Sequence, residues 1–223
     1  MPMRRLAGTG VVLAAAMLSS PTARGGASLL VDDAATTPEG RCQLESWLRM
    51  REGGHREMTA VPACTFDGLE YSLGGSAYAG TPSGPWLNAG LKRTLLAMDE
   101  NTPGLALSLG GTWRRPDHRL ASGDATFIAS VPLTAVFTLH ANLGWTAVRG
   151  AAPRPIEGLG LEYDHDRHWT ALGEYYLERG AVHAVQAGLR RSFVHGLSCD
   201  VIAGHDHGGH WLTLGLNYSP GDS

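Results

Sequence analysis

From Arg41 to Tyr218, apolar residues return at every second position for about ten residues at a time, until Gly, Pro, Asp or Asn interrupts the run. The clearest stretch is Ala135, Phe137, Leu139, Ala141, Leu143, Trp145 and Ala147, interleaved with Val136, Thr138, His140, Asn142, Gly144 and Thr146. Successive side chains of a strand point to opposite faces, so a period of two gives one apolar face and one mostly polar face. Repeated along the chain, it predicts strands near 41–50, 57–66, 69–79, 86–98, 105–114 and 125–131. Six more follow near 134–148, 157–163, 169–178, 183–193, 197–204 and 211–218.

Breakers support the divisions: Thr81-Pro-Ser-Gly-Pro85, Asp99-Glu-Asn-Thr-Pro-Gly104 and Arg149-Gly-Ala-Ala-Pro153. Pro132 lies in an apolar run from Phe127 to Leu139, and its missing donor predicts a tight turn there. About twelve strands, an even number, leave both termini at one end, as a single-chain bacterial barrel requires. The predicted fold is all-β: a closed, up-and-down, antiparallel transmembrane β-barrel. The competing all-β fold, a soluble barrel or sandwich, would turn its apolar face inward.

The first 27 residues predict a secretory signal. Arg4 and Arg5 form a basic start, Leu6 to Leu18 a short apolar core, and small residues allow cleavage after Ala23 or Ala27. The core is too short to span a bilayer comfortably as a retained helix. Residues 28–40, polar and turn-forming, are expected to be a lead-in, and 41–223 a single barrel domain. The 223-residue chain carries 30 glycines, and its mean hydropathy is near zero. A membrane barrel tolerates that hydropathy because only alternate residues meet lipid. Net charge is −3 and Lys92 is the single lysine, so no basic nucleic-acid surface is present.

Cys42 and Cys64 lie symmetrically about Gly53, within Arg51-Glu-Gly-Gly-His55. A hairpin centred there sets the two thiols on opposed positions of neighbouring strands, on the side of Leu44, Leu48, Met58 and Phe66, and predicts a disulfide. Cys199 is left over as a small apolar filler.

The apolar phase contains Leu69, Tyr71 and Leu73, then Leu87, Ala89, Leu91 and Leu95, and at the end Leu212, Leu214, Leu216 and Tyr218. Aromatics near strand ends suit interfacial girdles. The opposite phase supplies the candidate lumen: Glu45, Arg49, Glu70, Lys92, Arg114, His140, Asn142, Glu174 and Arg190, with Glu162, Tyr176, Glu178, Asp200 and Asn217 among its further members. Charges of both signs there can pair across a narrow bore and close it.

Leu30-Val-Asp-Asp-Ala-Ala-Thr-Thr-Pro-Glu-Gly40 with Gln43-Leu-Glu45, Leu139-His-Ala-Asn-Leu-Gly-Trp145, Gly173-Glu174 and Gly188-Leu-Arg190 together resemble outer-membrane barrels of the "MetA-pathway of phenol degradation" family, also described as transporters. The resemblance implies a gram-negative outer-membrane barrel passing small hydrophobic or aromatic compounds. It carries His140, Asn142, Glu174 and Arg190 over as lumen-facing positions, and brings no catalytic residues. The chain departs from that pattern in its short outer loops and in ending Tyr218-Ser-Pro-Gly-Asp-Ser223 rather than on an aromatic.

Local chemistry is sparse. His205, His207 and His210, with Asp206, could ligate zinc or copper, but a polar glycine-rich turn explains the same residues, as it does Asp164-His-Asp-Arg-His168, and no metal site or cofactor is assigned. A hydrolytic triad would need a serine beside His140; Thr138 shares its strand, and Ser130 lies on the strand before. Gly74-Gly75 and Gly110-Gly111 sit in strand patterns with no helix following, which excludes a phosphate loop. The expected function is therefore passage of small molecules, with a lipid-modifying enzyme or a closed structural barrel as alternatives. The expected partners are outer-membrane lipid, a small solute and the barrel-assembly machinery, for a monomer.

Overall fold

The computed structural model describes residues 28–80, 85–114 and 119–220, so the signal-peptide reading and most of the Thr81–Pro85 breaker lie outside the described residues. Twelve strands form one closed barrel: β1 (Cys42–Arg51), β2 (Arg56–Phe66), β3 (Leu69–Ala79), β4 (Trp86–Leu96), β5 (Gly104–Arg114), β6 (Arg119–Pro132), β7 (Phe137–Val148), β8 (Arg154–Asp164), β9 (Trp169–Glu178), β10 (Val182–Ser192), β11 (Leu197–Asp206) and β12 (Gly209–Tyr218). Each strand pairs antiparallel with its sequence neighbours, and β1 pairs with β12 to close the ring. Closure leaves no unpaired edge, which a sheet in hydrocarbon could not tolerate. Strands of 10–14 residues are long enough to cross a bilayer when tilted.

The expected phases hold around the ring. Leu73, Leu95, Leu109, Leu143, Leu159, Leu189, Val201 and Leu214 are exposed on the outside, an apolar belt interrupted by Arg93 on β4. At the end carrying the termini, exposed Phe66, Trp169, Phe193 and Tyr218 border the belt, and Phe137 stacks on Tyr163 with ring centroids 4.8 Å apart. Arg191 lies over both Trp169 and Phe193, at 5.1 and 5.2 Å, where an amphipathic girdle would face headgroups.

Several boundaries differ from the sequence reading by two to six residues, most of all in β6. β6 continues through Pro132, which pairs with Thr138, and the turn is Leu133–Val136. As the last strand residue, proline loses little by lacking a donor, and the turn is secured by Thr134 Oγ1, which accepts the amides of Val136 and Phe137. Ala135 and Val136 therefore belong to the turn, not to β7. β6 also begins at Arg119 rather than near 125. Its early part has little apolar pattern and is held by ladder bonds to β5 and β7 that no local period announces.

The β1–β2 hairpin turns at Glu52–Gly54, where Gly53 and Gly54 adopt φ of 78° and 81°, a left-handed backbone that side chains resist. The predicted register follows, and Cys42 and Cys64 form a disulfide on the outer face with Cα atoms 4.0 Å apart. Cys199 is free, on the outward phase of β11 beside Val201. Because β1 and β2 are already joined by a full ladder, the double variant Cys42→Ser/Cys64→Ser should still fold. It should lose about 3 kcal/mol at most, seen as a lower urea midpoint with the heat-dependent gel shift retained.

Candidate functional site

The lumen is occupied by the chain's own N-terminal segment. Ser28, Val31, Asp33, Ala34 and Thr37 are all buried, at 4% exposure or less. Lacking a sheet of its own, the segment has its backbone donors satisfied by side chains of the inward phase. The two oxygens of Glu174 accept the amides of Leu30 and Val31 at 2.9 and 3.1 Å. Asn142 clamps Asp32 from both sides, its Oδ1 accepting the amide at 2.7 Å and its Nδ2 donating to the carbonyl at 2.8 Å. Ser130 Oγ accepts the Ala34 amide at 2.8 Å, and Glu70 accepts both the amide and the hydroxyl of Thr37 at 2.6 Å. Donors held by carboxylates are the stronger class of such bonds.

Side chains and shape complete the fit. Lys92 Nζ donates to Asp32 at 2.8 Å and lies 3.5 Å from Asp33. Ser28 donates to Asp200 at 2.5 Å, and Gln186 donates to the Ser28 carbonyl at 3.3 Å. Gly158 and Gly160 leave the wall bare opposite Val31, and a Cβ on Gly158 would meet Val31 Cγ2 at 3.0 Å. Ala34 packs against Ala106 and Ile128 in a small apolar core. Residues 28–40 do lead into β1, but by way of the barrel interior.

The lumen candidates therefore have distinct fates. Glu70, Lys92, Asn142 and Glu174 grip the segment directly. Arg190 binds Asp200 through Nε at 2.8 Å and Nη2 at 3.2 Å, both residues almost fully buried, and thereby orients the carboxylate that receives Ser28. Glu45 faces a cavity beside the segment. Arg49 donates to Thr213 at 3.2 Å and lies over the Trp211 ring. Arg114 stays on the inward phase but ends exposed at the rim far from the termini.

Ser130, His140 and Glu162 come together in the order of a hydrolytic triad: Ser130 Oγ is 2.8 Å from His140 Nδ1, and His140 Nε2 is 3.8 Å from Glu162. Ser130 is fully buried beside Ala34, whose amide its oxygen accepts. The constellation works as part of the grip.

The histidine-rich turn separates its members. His205 and His210 face each other on paired strands with rings 4.6 Å apart, while His207 lies beside His183. Among the described residues, no three His, Cys, Asp or Glu side chains gather as metal ligands. At the opposite end, in the 165–168 turn, Asp166 accepts the amides of His168 and Trp169; those donors, that of His168 foremost, hold its carboxyl below the usual range.

Three inward tryptophans went unpredicted. Trp47 lies between Glu45 and Arg49 on the inward phase of β1, Trp86 begins the inward phase of β4, and Trp211 lies two residues before Thr213 on β12. The parity that marks the lumen also marks them, but their apolar character suggests lipid. Trp211 is buried against Gly204, where any side chain would collide with the indole, and Arg51 stacks over it at 4.7 Å while pairing with Asp206.

Two cavities flank the segment. One, of about 630 Å³, reaches the terminal end and is lined by Glu45, Glu70, Ser72, Lys92 and Asn217. The other, of about 280 Å³, lies toward the opposite end, against Thr146, Ile156, Glu157 and Tyr176.

The family model described as Uncharacterised conserved protein UCP029691 matches residues 13–219. The chain belongs to that family. The resemblance to the phenol-degradation barrels is not confirmed; the chain's membership is in UCP029691, and no curated protein matches it. Among solved structures, this UCP029691 member is similar to the KdgM porin in complex with disordered oligogalacturonate. The TM-score is 0.67 at 10% identity, covering 79% of this chain and 98% of that one. It is likewise similar to the NanC porin, with a TM-score of 0.62 at 8% identity, covering 78% and 98%. At such identities the likeness is one of fold: this UCP029691 protein has the porin-like, closed twelve-strand architecture.

Proposed function

We propose that this protein is an outer-membrane channel for small polar solutes, its bore narrowed by residues 28–37. The observation that supports this most is the pair of cavities left beside the segment in a lumen lined by hydroxyls, amides and carboxylates. A structural plug would be expected to fill its barrel by close packing; this one is tied by hydrogen bonds and leaves space. The carboxylates favour a polar solute over the hydrophobic or aromatic compounds implied by the phenol-degradation resemblance, because an apolar molecule would strip water from them without replacing its bonds. In this reading the barrel is a monomer of a gram-negative outer membrane, exported behind residues 1–27, inserted by the barrel-assembly machinery and ringed by lipid.

The second reading, a closed structural barrel, is favoured by the anchoring of the segment at both ends, at Asp200 and at Glu70. Planar-bilayer recording of the purified protein separates the two. A channel gives discrete steps of low conductance, and vesicles containing it swell in small sugars or amines. Silence in both assays would favour the closed barrel.

A further inference from the structure

The two cavities beside the N-terminal segment share three lining residues, Asp32, Ser108 and Asp124. A route from one end of the barrel to the other through these cavities would pass those side chains, with Asp32 on the segment's side and Asp124 on the wall's.

The wall is built to make room for the Asp124 carboxylate. Asp124, Gly110, Gly90 and Ser72 occupy one cross-strand row over β6, β5, β4 and β3. Gly110 and Gly90 present no side chain, and a Cβ on Gly110 would collide with the Asp124 carboxylate. That carboxylate is half-buried, and among the described residues it meets no cation and accepts no hydrogen bond. On the other side, the Lys92 ammonium lies 2.8 Å from Asp32 and 3.5 Å from Asp33. Asp124 is thus a carboxylate bordering both cavities that no cation among the described residues pairs.

We infer that Asp124 sets the charge preference of this route, making it pass small cations in preference to anions. The inference rests on the channel reading above. It also sets this protein apart in chemistry from the fold relative solved with oligogalacturonate, a polyanion.

The test is the reversal potential across a planar bilayer under a potassium chloride gradient, for the full chain and for Asp124→Asn and Asp124→Arg. Wild-type protein is expected to be cation-selective. Asp124→Asn should lower the cation-to-anion permeability ratio about five-fold, the weight of one charge at contact distance in water. Asp124→Arg should bring the ratio below one. Variants that keep the heat-dependent gel shift and conduct with an unchanged ratio would overturn the inference while leaving the channel intact. Absence of conductance both in wild type and in protein lacking residues 28–37 would instead overturn the channel reading, and this inference with it.

Discussion

Deleting residues 28–37, while keeping everything before and after, should raise single-channel conductance several-fold without dissolving the barrel. The segment makes no ladder bond to any strand, so its removal leaves all twelve strand pairings in place. What disappears is the material across the bore: the amides held by Glu174, Asn142, Ser130 and Glu70, and the side chains of Val31 and Ala34. The freed carboxylates and hydroxyls pass to water, which enters a polar lumen readily. A subtler version replaces two anchors, Glu174→Ala with Glu70→Ala. Each lost bond to a charged acceptor is worth about 1.5–3 kcal/mol, so the segment should leave its seat for part of the time and the trace should flicker between two levels. An unchanged conductance in the deletion variant would show that the segment does not obstruct the route.

The largest effect on stability is expected at Arg190. Its guanidinium and the Asp200 carboxylate are 3% and 1% exposed and form two hydrogen bonds. Arg190→Ala leaves Asp200 ionised in the wall with, among the described residues, the Ser28 hydroxyl and the Asn217 amide as its remaining donors. Removing one partner of a buried pair costs about 3–5 kcal/mol. The urea midpoint for loss of the fast-migrating folded band should fall accordingly in Arg190→Ala. Arg190→Met with Asp200→Leu should recover part of it, since Asp200 is no longer stranded while Glu162, 3.7 Å from the guanidinium, still loses its cation. A single variant as stable as wild type would mean that water reaches Asp200 and the pair is not sealed.

Much of the barrel was legible because its signal is local. The inward phase of Glu45, Glu70, Lys92, His140, Asn142, Glu174 and Arg190 follows from a period of two, which needs no knowledge of what lies across the lumen. The disulfide was legible for a related reason: symmetry about Gly53 fixes the hairpin register, and register decides which two residues oppose. Where the period fades, at Arg119–Asp124, the strand was missed; where apolar residues run on past a turn, at Ala135 and Val136, it was overextended. Trp47 and Trp211 obey the inward parity, yet an indole on that face only makes sense once Arg49, Arg51 and Gly204 are seen around it.

The sequence alone thus determined a closed barrel with an apolar outer face, its disulfide and the polarity of its inner wall, since alternation and hairpin symmetry act between near neighbours. The tertiary structure alone decided what fills that wall. Residues 28–37 have no period and make no hydrogen-bonded element, and their partners lie as far away as the 172 positions between Ser28 and Asp200. Such contacts exist only after the ring has closed and brought β3, β6, β7, β9 and β11 around one short stretch of backbone whose amides would otherwise go unpaired.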